Sequence, residues 1–162
     1  MRSLVIAAAG ALVLASCGGG AATSDESARD DSGEIVEGGD IGVFVVQEGD
    51  CISLPTAGAE VAAFEGSSCD EPHDGEIYEL FDITGFDEFP GDTVLREQAD
   101  EGCLNAFEPY VGIDYQLSEF FYTFFTPSED TWNQVDDREV ICIAVPAEGE
   151  PQLTMSIEGV AR

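Results

Sequence analysis

Four cysteines after residue 43 constrain the fold of this chain more than any other feature. They are Cys51, Cys69, Cys103 and Cys142. In an exported chain, an even number of cysteines indicates disulfides, and four cysteines allow three pairings. We favour Cys51–Cys69 and Cys103–Cys142, which would join neighbouring strands and then tie a helix to a late strand. A zinc site is the competing interpretation, but the spacings contain no Cys-x-x-Cys pair, so we expect no metal.

The N-terminus has the pattern of a bacterial export signal. Arg2 precedes the uncharged segment Leu4–Leu14, which is shorter than the roughly 20 residues that a membrane-spanning helix needs. The residues that follow, Leu14-Ala15-Ser16-Cys17, resemble the lipobox of lipoproteins, whose cysteine thiol receives a diacylglycerol. We therefore predict a signal peptide over 1–16 and lipidation of Cys17. The alternative is a secretory signal cut elsewhere, with Cys17 incidental.

The lipobox and the composition after it predict the domain organisation. A lipid anchor would hold the chain on the extracytoplasmic face of the cell membrane without a spanning helix. Segment 17–42 is rich in Gly, Ala and Ser and carries seven acids, which predicts a flexible acidic tether. The folded domain is then expected over 43–162.

The charge balance excludes two classes of partner. The chain has 34 Asp and Glu residues against 5 Arg and Lys residues, for a formal charge of -29. Nucleic-acid binding needs a basic surface, so no nucleic-acid partner is expected. Electrostatic attachment to anionic lipids is disfavoured for the same reason, and contact with the membrane is expected only through the lipid anchor.

Apolar periodicity predicts an α+β fold, in which a small antiparallel sheet packs on one main helix and a short helix, with two disulfides. Strands are predicted at Val43–Val46, Val61–Phe64, Glu76–Ile83, Leu117–Phe125, Glu139–Val145 and Leu153–Ile157. The main helix is predicted over Asp92–Phe107, with Pro109 ending it. Thr126 followed by Pro127 and Glu129 predicts the capped start of a short helix that carries Trp132.

The order of these features resembles the septum-formation domain family of actinobacterial envelope proteins. The matching residues are Gly49-Asp50-Cys51, the string Cys69-Asp70-Glu71-Pro72-His73-Asp74-Gly75-Glu76-Ile77-Tyr78, Ala99, Cys103, Tyr110-Val111-Gly112, Pro127, Trp132 and Arg138–Cys142. The resemblance covers roughly 49–145 and implies a link to division septa, but it implies no assigned reaction and no catalytic residues. Where the family pattern leads us to expect a glycine before Arg138, this chain has Asp136-Asp137, so we expect a different turn there.

Candidate chemistry centres on His73, the only histidine. With a nearby carboxylate it could act as a general base or a metal ligand. The alternative, which we favour, is a structural histidine at a turn beside a disulfide. Acidic pairs occur at Asp87-Glu88, Asp100-Glu101, Glu129-Asp130 and Asp136-Asp137. They could bind calcium, but a solvated acidic surface explains them more simply.

Two functions follow from these features. The first is a non-enzymatic cell-envelope lipoprotein that binds or scaffolds an envelope protein or a cell-wall component, linked to septum or wall formation. The alternative is an enzyme that acts on a wall polymer through His73 and nearby carboxylates; no cofactor is expected in either case. The aromatic strand Phe120–Phe125 is expected to be mainly core, although one of its two apolar faces could form a partner surface.

Overall fold

Alternation of apolar residues along the chain produces the strands of this fold. The computed structural model describes residues 28–56 and 61–162. Its strands are β1 (Ala28–Arg29), β2 (Ile35–Glu37), β3 (Gly39–Gly42), β4 (Cys51–Ser53), β5 (Ala63–Ser67), β6 (Gly75–Asp82), β7 (Phe120–Phe125) and β8 (Glu139–Pro146). The helices are α1 (Asp92–Val111) and α2 (Glu129–Val135), and a short 3-10 helix covers Tyr115–Leu117.

Six strands form one antiparallel sheet in the order β3-β5-β4-β6-β8-β7, and β1 pairs separately with β2. Strand β8 lies between β6 and β7, and its side chains alternate between two buried sets. Val140 and Cys142 face one set, whereas Ile141 and Ile143 face the other. The two-sided apolar pattern of this strand predicted an interior position, which is confirmed. The predicted α+β class with two disulfides is also confirmed.

Helix α1 covers the first face of the sheet. Its buried residues recur every fourth position, at Leu95, Ala99, Cys103, Phe107 and Val111, as an amphipathic helix requires. The helix continues past Pro109, where we predicted its end. A proline removes only one hydrogen bond in a last turn, and the buried side chain of Val111 still packs there. The helix instead ends at Gly112, whose φ of 89° is in the left-handed region.

The N-terminal part of the described chain covers the second face, where a tether was predicted. Strand β3 pairs with β5, and Ile35 and Ile41 are buried beside Phe64. The prediction of a flexible tether is therefore wrong for residues 35–42. Burial of two isoleucines outweighs the polar composition of the segment. The rest of the predicted tether before residue 28, together with the signal peptide, lies outside the described residues.

Several predicted boundaries differ from the structure. The segment predicted as a strand at 43–46 is a turn, in which Val45 N donates to Gly42 O. The strand predicted at 61–64 is present as β5, which begins two residues later. The cap of α2 is Ser128 rather than Thr126; Ser128 and Thr131 form the capping box. Residues 153–157 form no strand, because only Leu153 pairs, in a single bridge with His73.

No helix in the described part of the chain has the length and apolar character that a membrane span requires.

Candidate functional site

Two disulfides fix the surroundings of the family-like string 69–78. Cys51–Cys69 joins β4 to the turn after β5, and Cys103–Cys142 joins α1 to β8. Both pairings confirm the prediction. In the described ranges 28–56 and 61–162, one trio of candidate ligand atoms lies within 4.8 Å of each other, from Cys51, Cys69 and Glu76. The two sulfurs are bonded to each other, so this trio retains only the Glu76 carboxylate as a hard metal ligand.

His73 is fully buried, and its contacts are structural. Its ring Nδ1 lies 2.8 Å from the carbonyl oxygen of Glu71. Its backbone N–H donates to Leu153 O at 3.0 Å, and its carbonyl accepts from Leu153 N at 2.9 Å. The ring Nε2 is buried and has no hydrogen-bond partner in the described residues. A general base must come within hydrogen-bond distance of a substrate proton, and a ring with 0% exposure does not offer that access.

Glu76 lies at the centre of the site as a fully buried carboxylate. Its Oε1 accepts from Tyr110 Oη at 2.5 Å and from Ser156 Oγ at 2.8 Å, and its Oε2 accepts from Ile157 N at 2.7 Å. These three donors satisfy the buried acid. Burial, together with the hydrogen bond to Glu76, raises the pKa of Tyr110. Glu76 thus ties the end of α1 and segment 153–160 to strand β6.

Glu76 was not predicted as a central residue, although the sequence carries a signal for it. The strand reads Gly-Glu-Ile-Tyr, and its first four residues are all buried. An acid flanked by apolar residues within a buried strand must have internal donors. Those donors come from residues 34, 80 and 81 positions along the chain. The sequence alone therefore could not identify them.

The acids next to His73 and Cys51 also serve the framework. Asp74 accepts from Leu54 N and from Gln152 Nε2, each at 2.9 Å. Asp50 is 3% exposed and accepts from Gln47 N at 2.7 Å and from the guanidinium of Arg29. Each of these contacts joins segments that are distant in sequence or closes a turn. The string 69–78, together with Asp50, therefore joins several segments of the fold.

Gly75 is required within the string 69–78 for a steric reason. A Cβ at Gly75 would lie 2.7 Å from Ile143 Cγ2 and 2.8 Å from Ala144 O. Strand β6 can approach β8 so closely only because residue 75 has no side chain. The close approach brings Glu76, the next residue, into the core beneath α1.

The predicted acidic pairs gather no third ligand in the described part of the chain. Asp100 accepts from Tyr122 Oη at 2.9 Å, and Glu129 with Asp130 lies in the first turn of α2, where acids favour the helix dipole. Asp136 adopts φ 58°, the left-handed conformation that a glycine favours. Asp137, which immediately precedes Arg138, has no positive φ, so the predicted difference in this turn stays a prediction.

Arg138 joins the turn after α2 to the helix. Its guanidinium carbon lies 3.6 Å from the centre of the Trp132 ring, and its Nη1 donates to Trp132 O at 3.0 Å. Its Nη2 lies 2.7 Å from Asp136 Oδ1. These contacts engage the guanidinium of Arg138 and hold the buried Trp132 against the core.

A groove with an acidic rim lies at the end of β7. It has a volume of about 510 Å³ and includes Val43, Phe44, Phe125, Ile141 and Glu139 among its lining residues. Glu139 lies directly opposite Asp82 across the β6–β8 pair, with Asp137 nearby. Burial, and then the charges of Asp82 and Asp137, raise the pKa of Glu139. The rim thus brings together like charges that have no cation of their own in the described residues.

The aromatic strand β7 is mainly core, as expected. Phe120 is buried, Tyr122 and Phe124 pack on the α1 side, and Phe125 packs on the opposite side of the sheet. Phe121 is the exception, because half of its surface is exposed. The strand therefore combines a core function with an accessible aromatic side chain at the sheet edge.

Comparison with known proteins identifies the family but not a close relative. No curated protein and no solved structure matches the chain. The septum formation family matches over residues 15–161, a longer stretch than the 49–145 on which the sequence resemblance rested. That match includes both disulfides, the string 69–78 and the C-terminal segment that Glu76 holds. The chain belongs to the septum formation family.

Proposed function

We propose that this protein is a non-enzymatic module of the cell envelope that binds or scaffolds a partner during septum formation. Membership of the septum formation family supports the link to the septum. The observation that carries the non-enzymatic part is the burial of His73 and Glu76, the two polar groups best suited to acid–base chemistry. Their hydrogen bonds connect strands, helix and C-terminal segment, which is the role of a framework.

The proposed location is the extracytoplasmic face of the cell membrane. Two disulfides suit an oxidising compartment. The export signal and the lipobox-like Leu14-Ala15-Ser16-Cys17 provide the route and the anchor. A strongly acidic chain favours partners with cationic surfaces, whether an envelope protein or a wall component.

Replacing Cys17 tests the anchor. In cells that produce the Cys17→Ala chain, we expect the protein to leave the membrane fraction, whereas a Ser16→Ala control should stay in that fraction. Fractionation followed by immunoblotting measures both. A Cys17→Ala chain that remains in the membrane fraction would contradict lipid anchoring.

The variant His73→Asn tests whether the protein is an enzyme. The side-chain amide of asparagine can still donate near Glu71 O, but it cannot act as a general base at neutral pH. We expect a strain that lacks the gene to recover normal septum spacing with either the unmodified or the His73→Asn chain. Fluorescence microscopy measures the spacing, and a thermal melt of the purified chain checks folding. A folded His73→Asn chain that fails to restore septa would support the wall-acting enzyme instead.

A further inference from the structure

We propose that the open edge of β7 docks an extended cationic segment of a partner polypeptide, which pairs with β7 as a seventh strand of the sheet. An apolar side chain of that segment would enter the groove beside Phe125. This inference rests on the proposed binding function and names the surface and the chemistry of the partner. Strand addition of this kind uses backbone hydrogen bonds for affinity and alternate side chains for specificity.

The edge itself is the first observation. Among residues 28–56 and 61–162, strand β7 is the last in the sheet and pairs only with β8. Its six residues, FFYTFF, carry no charge. Within the described chain, Ser118 Oγ accepts from Phe120 N, and no other hydrogen bond outside the β7–β8 ladder reaches a backbone amide of this strand. A row of free backbone groups along an uncharged strand is a template for another strand.

The opposite edge of the sheet shows how such a template is normally blocked. Strand β3 has four residues, two of them glycines, and includes the charged Asp40. Short length and a charge both discourage pairing with a further strand. Neither device is present on β7, so the two edges differ in the property that controls strand addition.

Side chains along β7 offer an apolar contact next to the free backbone. Phe121 is 50% exposed, and its ring packs edge-on against Tyr115. At the other end of the strand, Phe125 packs edge-on against Phe64 at 5.3 Å and lines the groove with Val43 and Ile141. An added strand would therefore meet aromatic surface at both ends and a groove at one of them.

The charge of the surface selects the occupant. Asp137 and Glu139 line the groove, and Asp82 lies opposite Glu139. Arg138, the nearest cation in sequence, already contacts Asp136 and two backbone carbonyls. A second copy of this chain would bring another formal charge of -29 to the same edge. Repulsion disfavours that copy, and Lys or Arg side chains on the added strand would relieve the acidic rim.

Three synthetic peptides of ten residues test the proposal with the full-length chain in detergent. The first alternates Lys and Val. The second has the same sequence with every backbone amide N-methylated, which keeps the charge but removes strand pairing. The third alternates Glu and Val. At 150 mM salt we expect the first peptide to bind at least tenfold more tightly than either of the others, as measured by fluorescence anisotropy.

Hydrogen–deuterium exchange locates the bound peptide on the unmodified chain. We expect the Lys–Val peptide to slow exchange in residues 120–125, because free amides of β7 would gain acceptors. Protection elsewhere without protection of β7 would overturn the proposal. So would protection of the same amides by self-association without peptide, since a second copy would then be the occupant. Equal binding of the N-methylated peptide would show that charge attraction alone accounts for the binding, and this result would also overturn the proposal.

A pair of variants separates strand docking from charge attraction. Phe121→Asp adds an acid at the edge, and Leu104→Asp adds one at a residue of α1 that is 43% exposed. Charge attraction alone predicts equal or tighter binding of the Lys–Val peptide to both variants. Docking on β7 predicts at least tenfold weaker binding to Phe121→Asp and a change within twofold for Leu104→Asp. Tighter or unchanged binding to a folded Phe121→Asp chain would overturn the proposal.

The same variant in cells separates this inference from the proposed function. If the peptide binds β7 but a strain lacking the gene forms normal septa, the docking edge stands and the septal function fails. If the unmodified chain restores septa and Phe121→Asp restores them equally well, the septal function stands and docking at β7 fails. Loss of restoration by Phe121→Asp but not by Leu104→Asp supports both.

Discussion

The guanidinium of Arg29 pairs with the carboxylate of Asp50 through both of its terminal nitrogens. Asp50 is 3% exposed and precedes the disulfide residue Cys51, whereas Arg29 lies in a segment whose composition predicted a flexible tether. The hydrogen bond to Asp50 raises the pKa of Arg29. The pair therefore fastens the β1–β2 segment to the turn that begins β4, and it makes the N-terminal part of the described chain a component of the fold.

Breaking this pair should loosen that segment. We expect Arg29→Ala to lower the free energy of unfolding by about 2 kcal/mol, because Asp50 would remain buried with Gln47 N as its main donor. Urea denaturation measures the loss, and limited proteolysis should reveal faster cleavage before β3. The matched control is Arg162→Ala, since the 4.0 Å contact of Arg162 with Glu119 is exposed and should contribute less than about 1 kcal/mol. Equal losses in both variants would contradict a structural role for Arg29.

Replacing the Glu76 carboxyl group by an amide should loosen the C-terminal segment. We expect Glu76→Gln to lower the free energy of unfolding by about 1–3 kcal/mol, because an amide cannot accept from all three donors of the buried site. Hydrogen exchange at Ile157 should accelerate in parallel. Glu79→Gln provides the control on the same strand. Burial, and then the charge of Glu48, raise the pKa of Glu79, so its replacement should be neutral or slightly stabilising.

The acidic rim should make stability depend on pH through Glu139. A carboxyl group whose pKa is higher in the folded than in the unfolded chain costs stability above the folded pKa. That cost disappears as the pH falls through the folded value toward the ordinary value of 4.5. We therefore expect Glu139→Gln to raise the free energy of unfolding by about 0.5 kcal/mol at pH 7, the scale of a cross-strand like-charge pair.

Comparison of the two chains at pH 7 and near pH 4 measures this effect. The gain from Glu139→Gln should be present at pH 7 and lost near pH 4, where Glu139 of the unmodified chain is already protonated. Glu88→Gln, at an exposed position, controls for the general relief of negative charge. A gain that persists at low pH, or an equal gain from Glu88→Gln, would refute the role of Asp82 and Asp137.

The two disulfides should contribute unequally to stability. In the chain-entropy relation, removal of Cys103–Cys142, with a sequence separation of 39, costs about 4 kcal/mol. Removal of Cys51–Cys69, with a separation of 18, costs about 3 kcal/mol. We expect paired Cys→Ala variants to rank in this order in guanidinium denaturation. Peptide mapping without reduction checks the pairing, and a cystine between Cys51 and Cys103 would contradict the fold.

Local patterns in the sequence were sufficient for the elements with strong periodicity. The four-residue spacing from Leu95 to Cys103 predicted α1, and the two-sided apolar run at 139–145 predicted the interior strand β8. Apolar area repeated at a fixed period can be buried in only one kind of element, so these predictions needed no knowledge of the partners. The strand predicted from the weaker periodicity near Leu153 was wrong. A single bridge between Leu153 and His73 is present there instead.

The sequence by itself determined the four cysteines available for disulfides, the excess of acidic residues, the main helix and membership of the septum formation family. The tertiary structure decided how those cysteines pair. Tertiary structure decided which polar groups are internal and which edge is open. Arg29 meets Asp50 across 21 positions and Glu76 meets Ile157 across 81, and these distances in sequence close only when the sheet forms. Whether β7 lies inside or at the edge of the sheet depends likewise on the strand order. Long-range contacts set that order, and no local pattern encodes them.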